Sequence, residues 1–98
     1  GPHTHLVELE TIEWIDAAGD YMCVHASNET YILRSTMKEL EKKLTAEFVR
    51  IHRSTIVNLH KVRSVDAIPK GECLLHLDDD VSLKVSRNYR SAVQDLMG

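Results

Sequence analysis

The 98-residue chain has few of the residues that build disulfide-rich, metal-binding or membrane-spanning proteins. It holds two cysteines, four glycines and two prolines, and aromatic residues make up only 5% of it. Cys23 and Cys73 form no CxxC pair, which disfavours a zinc ribbon, a redox pair and a disulfide framework and favours a reducing, cytoplasmic setting. No apolar run reaches the roughly 18 residues expected of a membrane-spanning helix.

The length of the chain is that of one domain with one hydrophobic core. The opening Gly-Pro resembles the remnant of a cleaved expression tag. We therefore expect residues 1–5 to be a disordered start and residues 6–97 to form the domain.

The net charge of −3 hides an uneven distribution, because residues 1–49 carry −5 and residues 50–98 carry +2. Two clusters in the second half contain no acid. One comprises Arg50, Arg53, Lys61 and Arg63, and the other Lys84, Arg87 and Arg90. Phosphate contact requires a local basic patch rather than a positive net charge. The charge pattern therefore permits DNA binding without demonstrating it.

The dominant hydrophobic period is two, which is typical of strands with one buried face. Val81, Leu83 and Val85 alternate with polar residues, and this run pairs with 73–77 as a hairpin across the three aspartates at 78–80. A second hairpin joins 22–26 to 30–33. Further short strands are predicted at 6–9, 12–15, 48–51, 55–59 and 61–68.

Two segments have a helical period instead. Met37, Leu40 and Leu44 recur at steps of three or four, and Thr36 with Glu39 has the spacing of a capping box. The pattern predicts a central helix at about 36–46 and a short C-terminal helix at about 88–97, with a serine at position 86 available as its cap. The fold class is therefore mainly β with two helices.

Neither catalysis nor metal binding is indicated. No G-x-S-x-G elbow surrounds a serine, and no glycine-rich loop is present to hold a phosphate. His52 and His60 lack cysteine or acidic companions at ligand spacing, and Asp78–Asp80 lacks the D-x-D-x-D-G pattern of a calcium loop. We expect no enzyme activity, no cofactor and no metal. The two basic clusters are therefore the remaining candidates for a functional site. An arginine at a loop tip is suited to hydrogen bonding with guanine in the major groove. A solvated surface accounts for such arginines equally well.

The segment from Phe48 to Leu59, FVRIHRSTIVNL, resembles the central signature of the LytTR DNA-binding domain, F-x-R-(I/V/C)-H-(R/N)-S-x-(I/V/L)-V-N. The segments 12–21, 36–41 and 83–90 agree with that family in order and spacing, so the resemblance covers residues 6–97. It implies an elongated arrangement of small antiparallel β-sheets that binds bent double-stranded DNA through loops in successive major grooves. It also implies the output domain of a bacterial two-component response regulator, acting as two copies on paired half-sites, with an N-terminal receiver or a membrane region elsewhere in the protein.

Carried over position by position, the resemblance implies that Arg53 and Arg87 read bases and that a loop with Asp20 and Tyr21 is a further contact region. The side chains assigned to DNA phosphates are Arg90, Asn88, His52 and Lys84. Matching positions interpreted as structural are Ser54, Asn58 and Ser86. The sequence departs from the family in its acid at position 20, where a polar or basic residue is common, and in the three aspartates before the last strand.

A protein-interaction or dimerisation module that uses exposed strand edges is the alternative function. Salt distinguishes the two, because phosphate contacts weaken steeply with ionic strength and strand pairing does not.

Overall fold

The computed structural model describes Thr4, residues 6–78 and residues 80–97. Antiparallel strands dominate this part of the chain. They are β1 (Ile12–Ala18), β2 (Tyr21–Ala26), β3 (Glu29–Arg34), β4 (Phe48–His52), β5 (Thr55–Asn58), β6 (Ser64–Ile68), β7 (Glu72–His76) and β8 (Ser82–Val85). The α-helix α1 spans Met37–Lys43, and segments of 3-10 helix span Leu9–Thr11, Leu59–Lys61, Pro69–Gly71 and Arg87–Met97.

The predicted mainly β fold is confirmed, although several element boundaries differ from the prediction. The strand predicted at 12–15 continues to Ala18, and the one predicted at 61–68 begins only at Ser64, because Leu59–Lys61 forms a 3-10 turn. The central helix ends before residue 46, because Leu44 already has extended backbone angles, with φ −86° and ψ 154°. The C-terminal helix has 3-10 geometry and begins one residue early, at Arg87. The strand predicted at 6–9 is wrong. Leu6 is 94% exposed and Leu9 begins a 3-10 turn, so no neighbouring strand within the described residues holds this segment extended.

The larger sheet has five strands in the order β3-β2-β1-β5-β4, each antiparallel to its neighbours. Ile15 of β1 lies between Val24 of β2 and Ile56 of β5, and all three are buried on one face. On the opposite face Trp14 is aligned with Val57. The alternation along each strand thus gives the sheet two apolar faces.

Helix α1 covers the first of these faces. Its Met37 and Leu40 are buried against Ile15, Met22 and other residues of the first core cluster. The Thr36 hydroxyl oxygen accepts the Glu39 N–H at 3.1 Å, as the capping spacing predicted. The cap fixes where the helix starts, and the two apolar side chains fix which side of it faces the sheet.

The second face carries the smaller sheet, whose order is β6-β7-β8, and the C-terminal 3-10 helix. Leu75, Val85 and Val93 from these elements are fully buried with Ile51 and Val57 of the larger sheet. Two core clusters therefore lie on opposite sides of the five-stranded sheet. The molecule measures 49 × 24 × 21 Å, so the elongated shape expected from the resemblance is present.

Asn58 is the one buried polar side chain among the described residues and is 2% exposed. Its amide nitrogen donates to the Ile12 carbonyl at 2.9 Å, and its amide oxygen accepts the His60 N–H at 3.0 Å. The side chain thus joins the start of β1 to the turn that follows β5. Both of its polar atoms are satisfied, which is the usual condition for burying an amide.

Candidate nucleic-acid interface

One edge of the five-stranded sheet gathers several of the polar residues singled out in the sequence. In this strand order β1, β3 and β4 end at the edge where β2 and β5 begin. The β1–β2 turn therefore lies beside the β4–β5 turn, and the Ala17 N–H donates to the Ser54 carbonyl at 2.9 Å across them. Asp20 and Arg53, 33 positions apart in sequence, line one concavity at this edge.

The β1–β2 connection is a two-residue turn between the paired residues Ala18 and Tyr21. Gly19 has a φ of +63°, which a glycine adopts without steric cost and which suits such tight hairpins. The turn leaves Asp20 exposed, and Tyr21 is 47% exposed. Both members of the predicted contact loop are therefore accessible to a partner.

The β4–β5 turn is held by Arg50. Its guanidinium donates to the His52 carbonyl at 3.3 Å and also to the Arg53 carbonyl. A further bond, at 2.9 Å, joins the same group to the Glu41 carboxylate on α1. Two backbone carbonyls of the turn are thus fixed by one side chain, while the Arg53 side chain extends outward and is exposed.

His52 and Ser54 form a second brace of this turn. The Ser54 N–H donates to Nδ1 of His52 at 3.2 Å, and the Ser54 hydroxyl lies 2.9 Å from the same atom. Because Nδ1 accepts a hydrogen bond, it carries no proton, and Nε2 is the ring nitrogen that remains for another contact. His52 is half-buried, and its predicted phosphate contact can be made only through Nε2.

Arg87 lies at the start of the C-terminal 3-10 helix, directly after Ser86. The Ser86 N–H donates to the Ile51 carbonyl of β4 at 2.9 Å, which ties the beginning of this helix to the strand that leads to Arg53. Gly71 lies under the arginine, since a Cβ there would be 3.1 Å from Arg87 Cγ. The side chain is exposed and shares a shallow depression with Lys70 and Asn88.

The remaining predicted phosphate contacts have different surroundings. Lys84 pairs with the Glu72 carboxylate at 3.1 Å, so its charge is partly used inside the smaller sheet. Arg90 is half-buried, and its positive charge acts on Cys73. Burial raises the pKa of the Cys73 thiol, and the nearby charge of Arg90 opposes this shift. Asn88 is exposed.

Two histidines on strands are engaged by cross-strand partners. Nε2 of His25 lies 2.6 Å from the Asp16 carboxylate, and the imidazole stacks on Trp14 with ring centroids 3.9 Å apart. His76 lies 2.7 Å from the Asp66 carboxylate. Over the residues with described positions, no three His, Cys, Asp or Glu side chains come together as a metal-binding group. In the same part of the chain no helix has the length and apolar character needed to cross a bilayer.

Two basic residues at these loops, Arg34 and Lys70, were missed in the sequence, and the role of a third was missed. Arg50 was recognised as part of a basic cluster, but its role in bracing the turn depends on contacts with Glu41 and two carbonyls. Arg34 and Lys70 were not singled out at all. The position of Arg34 follows from the observed register of the β2–β3 hairpin, in which it is paired with Tyr21.

Exposed arginines and turns thus lie along this edge, and comparison with known proteins shows the family to which the chain belongs. The family profile of the LytTr DNA-binding domain matches residues 3–98. The chain belongs to the LytTR family of DNA-binding domains.

Related proteins and structures agree with this assignment. The LytTR chain is 30% identical over 93 residues to the sensory transduction protein LytT of Bacillus anthracis, covering 94% of this chain and 38% of that protein. It is 33% identical over 92 residues to a response regulatory protein of Vibrio cholerae, covering 89% and 35%. The chain therefore spans little more than a third of the length of either relative.

A solved structure matches the fold as well. The LytTr DNA-binding domain of a methyl-accepting/DNA response regulator from Bacillus cereus superposes with a TM-score of 0.85 at 27% identity. The match covers 94% of this chain and 85% of that one. The mainly β fold of this chain is thus that of a LytTr DNA-binding domain.

Proposed function

We propose that this LytTR domain binds double-stranded DNA in a sequence-specific manner, as the cytoplasmic output domain of a two-component response regulator that controls transcription. One observation carries the proposal. Arg53 and Arg87 are both exposed, neither has an ion pair in the described structure, and both are attached to the end of β4. An arginine held this way can donate two hydrogen bonds to guanine O6 and N7 in the major groove.

The order of the loops supports a particular docking geometry. Along the sheet edge the β1–β2 turn comes first, Arg53 lies in the middle, and Arg87 lies on the far side. We assign the β1–β2 turn, Arg53 and Arg87 to base edges in successive major grooves on one face of the duplex. Asp20 then accepts from a cytosine amino group, which is the base contact that a carboxylate makes best.

We propose that the DNA bends toward the protein where it contacts this row of loops. Neighbouring strands are about 4.8 Å apart, so the three strand spacings between β2 and β4 span about 14 Å. Successive major grooves on one face of straight DNA are about 34 Å apart. Bending toward the protein shortens that distance on the inner side, and its energetic cost is offset by the additional contacts.

Phosphate contacts position the protein on the duplex. We assign this role to Arg90, Asn88 and Nε2 of His52, which flank the two base-reading arginines. Lys84 joins them if DNA phosphate displaces Glu72 from its ammonium. Ser54, Asn58 and Ser86 act through the scaffold, because their observed hydrogen bonds are to neighbouring groups of the chain.

The whole protein is larger than this domain in our proposal. The LytT protein of Bacillus anthracis and the response regulatory protein of Vibrio cholerae are each more than twice as long as this chain. We propose an N-terminal receiver or membrane region that controls how two copies bind paired half-sites. The domain itself acts by binding, without catalysis, and a cofactor is not required for the contacts described.

Selection of tight binders from a random duplex library, at two salt concentrations, tests the proposal. We expect a paired motif whose enrichment weakens at high salt, because phosphate contacts release counterions. Arg53→Ala and Arg87→Ala should each lose preference at a different base pair of that motif. Enrichment of no motif, with weak retention that does not respond to salt, would contradict sequence-specific binding.

Enrichment of no motif would favour the alternative function, a protein-interaction module that uses exposed strand edges. One observation supports this alternative. Strand β3 is an edge of the larger sheet, and its Ile32 is 60% exposed. An exposed apolar edge can pair with a strand of a partner protein. Such pairing does not use either basic cluster, so Arg53→Ala and Arg87→Ala would leave it unchanged.

Arg50 offers a separate test of how the β4–β5 turn works. Arg50→Ala removes the side chain that fixes the His52 and Arg53 carbonyls, so affinity for the selected motif should fall by about 1–3 kcal/mol. Its charge is already paired with Glu41, so the slope of affinity against salt should stay at the wild-type value. Titration of a labelled duplex at several salt concentrations measures both. An unchanged affinity, or a slope reduced as for a lost phosphate contact, would show that Arg50 does not act by positioning the turn.

A further inference from the structure

Arg34 is an exposed arginine at the same sheet edge, and nothing in the resemblance or in the basic clusters pointed to it. It is the last residue of β3, and in the β2–β3 hairpin it is aligned with Tyr21. Within the part of the chain that the structure describes, it forms no ion pair and no side-chain hydrogen bond. Its guanidinium is thus available to a partner.

The concavity that holds Asp20 and Arg53 is also lined by Arg34. Two carboxylates, those of Asp20 and Glu39, belong to the same lining. On their own these acids would repel DNA phosphates as the β1–β2 turn approaches the duplex. The repulsion is strongest near Asp20, the acid that departs from the family pattern. The positive charge of Arg34 on the same rim reduces this repulsion.

We propose that Arg34 binds a DNA backbone phosphate on the flank of the groove that the β1–β2 turn enters. This inference rests on the proposed function and adds a contact to it. Arg34 lies at the end of a strand and outside the protruding turns, so it reaches the side of the duplex rather than the base edges. Tyr21, paired with it and half-exposed, presents a hydroxyl beside the same phosphate.

A different role for the same arginine would be protection of the sheet edge. Charged side chains on an edge strand discourage pairing with other proteins. That role needs only a charge on β3 and predicts no effect on DNA affinity. The two roles therefore make different predictions for the same variant.

The experiment compares the salt dependence of binding to the selected motif for the wild type, Arg34→Ala and Arg34→Lys. Each phosphate contact contributes about 0.9 to the slope of log affinity against log salt. When salt is raised from 50 to 200 mM, the affinity of both proteins falls, and the fold decrease should be about 3.5 times smaller for Arg34→Ala than for the wild type. Its base preference should not change. Arg34→Lys keeps the positive charge and should retain the wild-type slope.

Arg63→Ala is the matched control, because Arg63 is similarly exposed but donates two hydrogen bonds of 3.1 Å to Asp78 in the connection between β7 and β8. Its slope should equal that of the wild type. A slope for Arg34→Ala equal to that of Arg63→Ala would overturn the phosphate contact, and so would a lost base preference in Arg34→Lys. If the wild type itself binds without motif or salt dependence, the proposed function fails instead, and that result is read from the wild type alone.

Discussion

Replacing Ile51 with alanine is expected to lower the free energy of unfolding by about 2–5 kcal/mol, the usual cost of removing a large aliphatic side chain from a core. Ile51 is fully buried in the second core cluster, between the larger sheet and the C-terminal 3-10 helix. The cavity would open where Leu75, Val85 and Val93 meet it. Urea denaturation of the variant and the wild type measures the difference.

Two further variants separate burial from side-chain identity. Ile51→Val leaves most of the side chain in place and should cost about 0.5–1.5 kcal/mol. Ile32→Ala removes the same atoms from a position that is 60% exposed and should change stability little. If Ile51→Ala were no more destabilising than Ile32→Ala, the second core cluster would not be the unit that holds the two sheets together.

The double variant Arg53→Ala/Arg87→Ala is expected to lose about 2–6 kcal/mol of affinity for the selected motif. Each bidentate contact with guanine is worth about 1–3 kcal/mol, and two contacts with separate bases add. Non-specific binding sets the lower limit, since the phosphate contacts remain. Competition titrations of both single variants and the double variant, each against matched and scrambled duplexes, give the coupling between them.

The decisive comparison is whether the affinity losses of the two single variants add up to the loss of the double variant. A double variant no weaker than the worse single variant would mean that the two arginines serve one base or one structural element. Arg63→Ala again serves as the control. In the wild type the Arg63 guanidinium is held by Asp78 and lowers the pKa of that carboxyl. Its removal should leave discrimination between matched and scrambled duplexes at the wild-type level.

Strands and helices were largely predictable because their signals are local. Alternation marked β8 and β2, and the spacing of Thr36 and Glu39 marked the start of α1. The segment at 6–9 was predicted wrongly because an apolar run reads as a strand whether or not a neighbouring strand is available to pair with it. The end of α1 was missed for a related reason, since Leu44 continues the helical spacing while its backbone is extended.

Candidate site residues were predicted only where the basic clusters or the family motif named them. Arg53 and Arg87 carry the motif, and the geometry places both of them in solvent. The roles of Arg50 and Arg34 depend on which strands are neighbours, and strand order is set by contacts far apart in sequence. The link between Asn58 and Ile12, 46 residues apart, has the same origin.

The hydrogen bond from the Ser86 N–H to the Ile51 carbonyl has a consequence for operator architecture. It anchors the backbones at Arg53 and Arg87 to one strand, so the distance between the two base contacts that we propose is set by the fold and not by a linker. Inserting one base pair between their target bases moves those bases apart by about 3.4 Å and rotates them by about a tenth of a turn. In our proposal the domain therefore requires a fixed spacing between the two bases within a half-site. If two copies bind paired half-sites as proposed, only the spacing between the half-sites can vary.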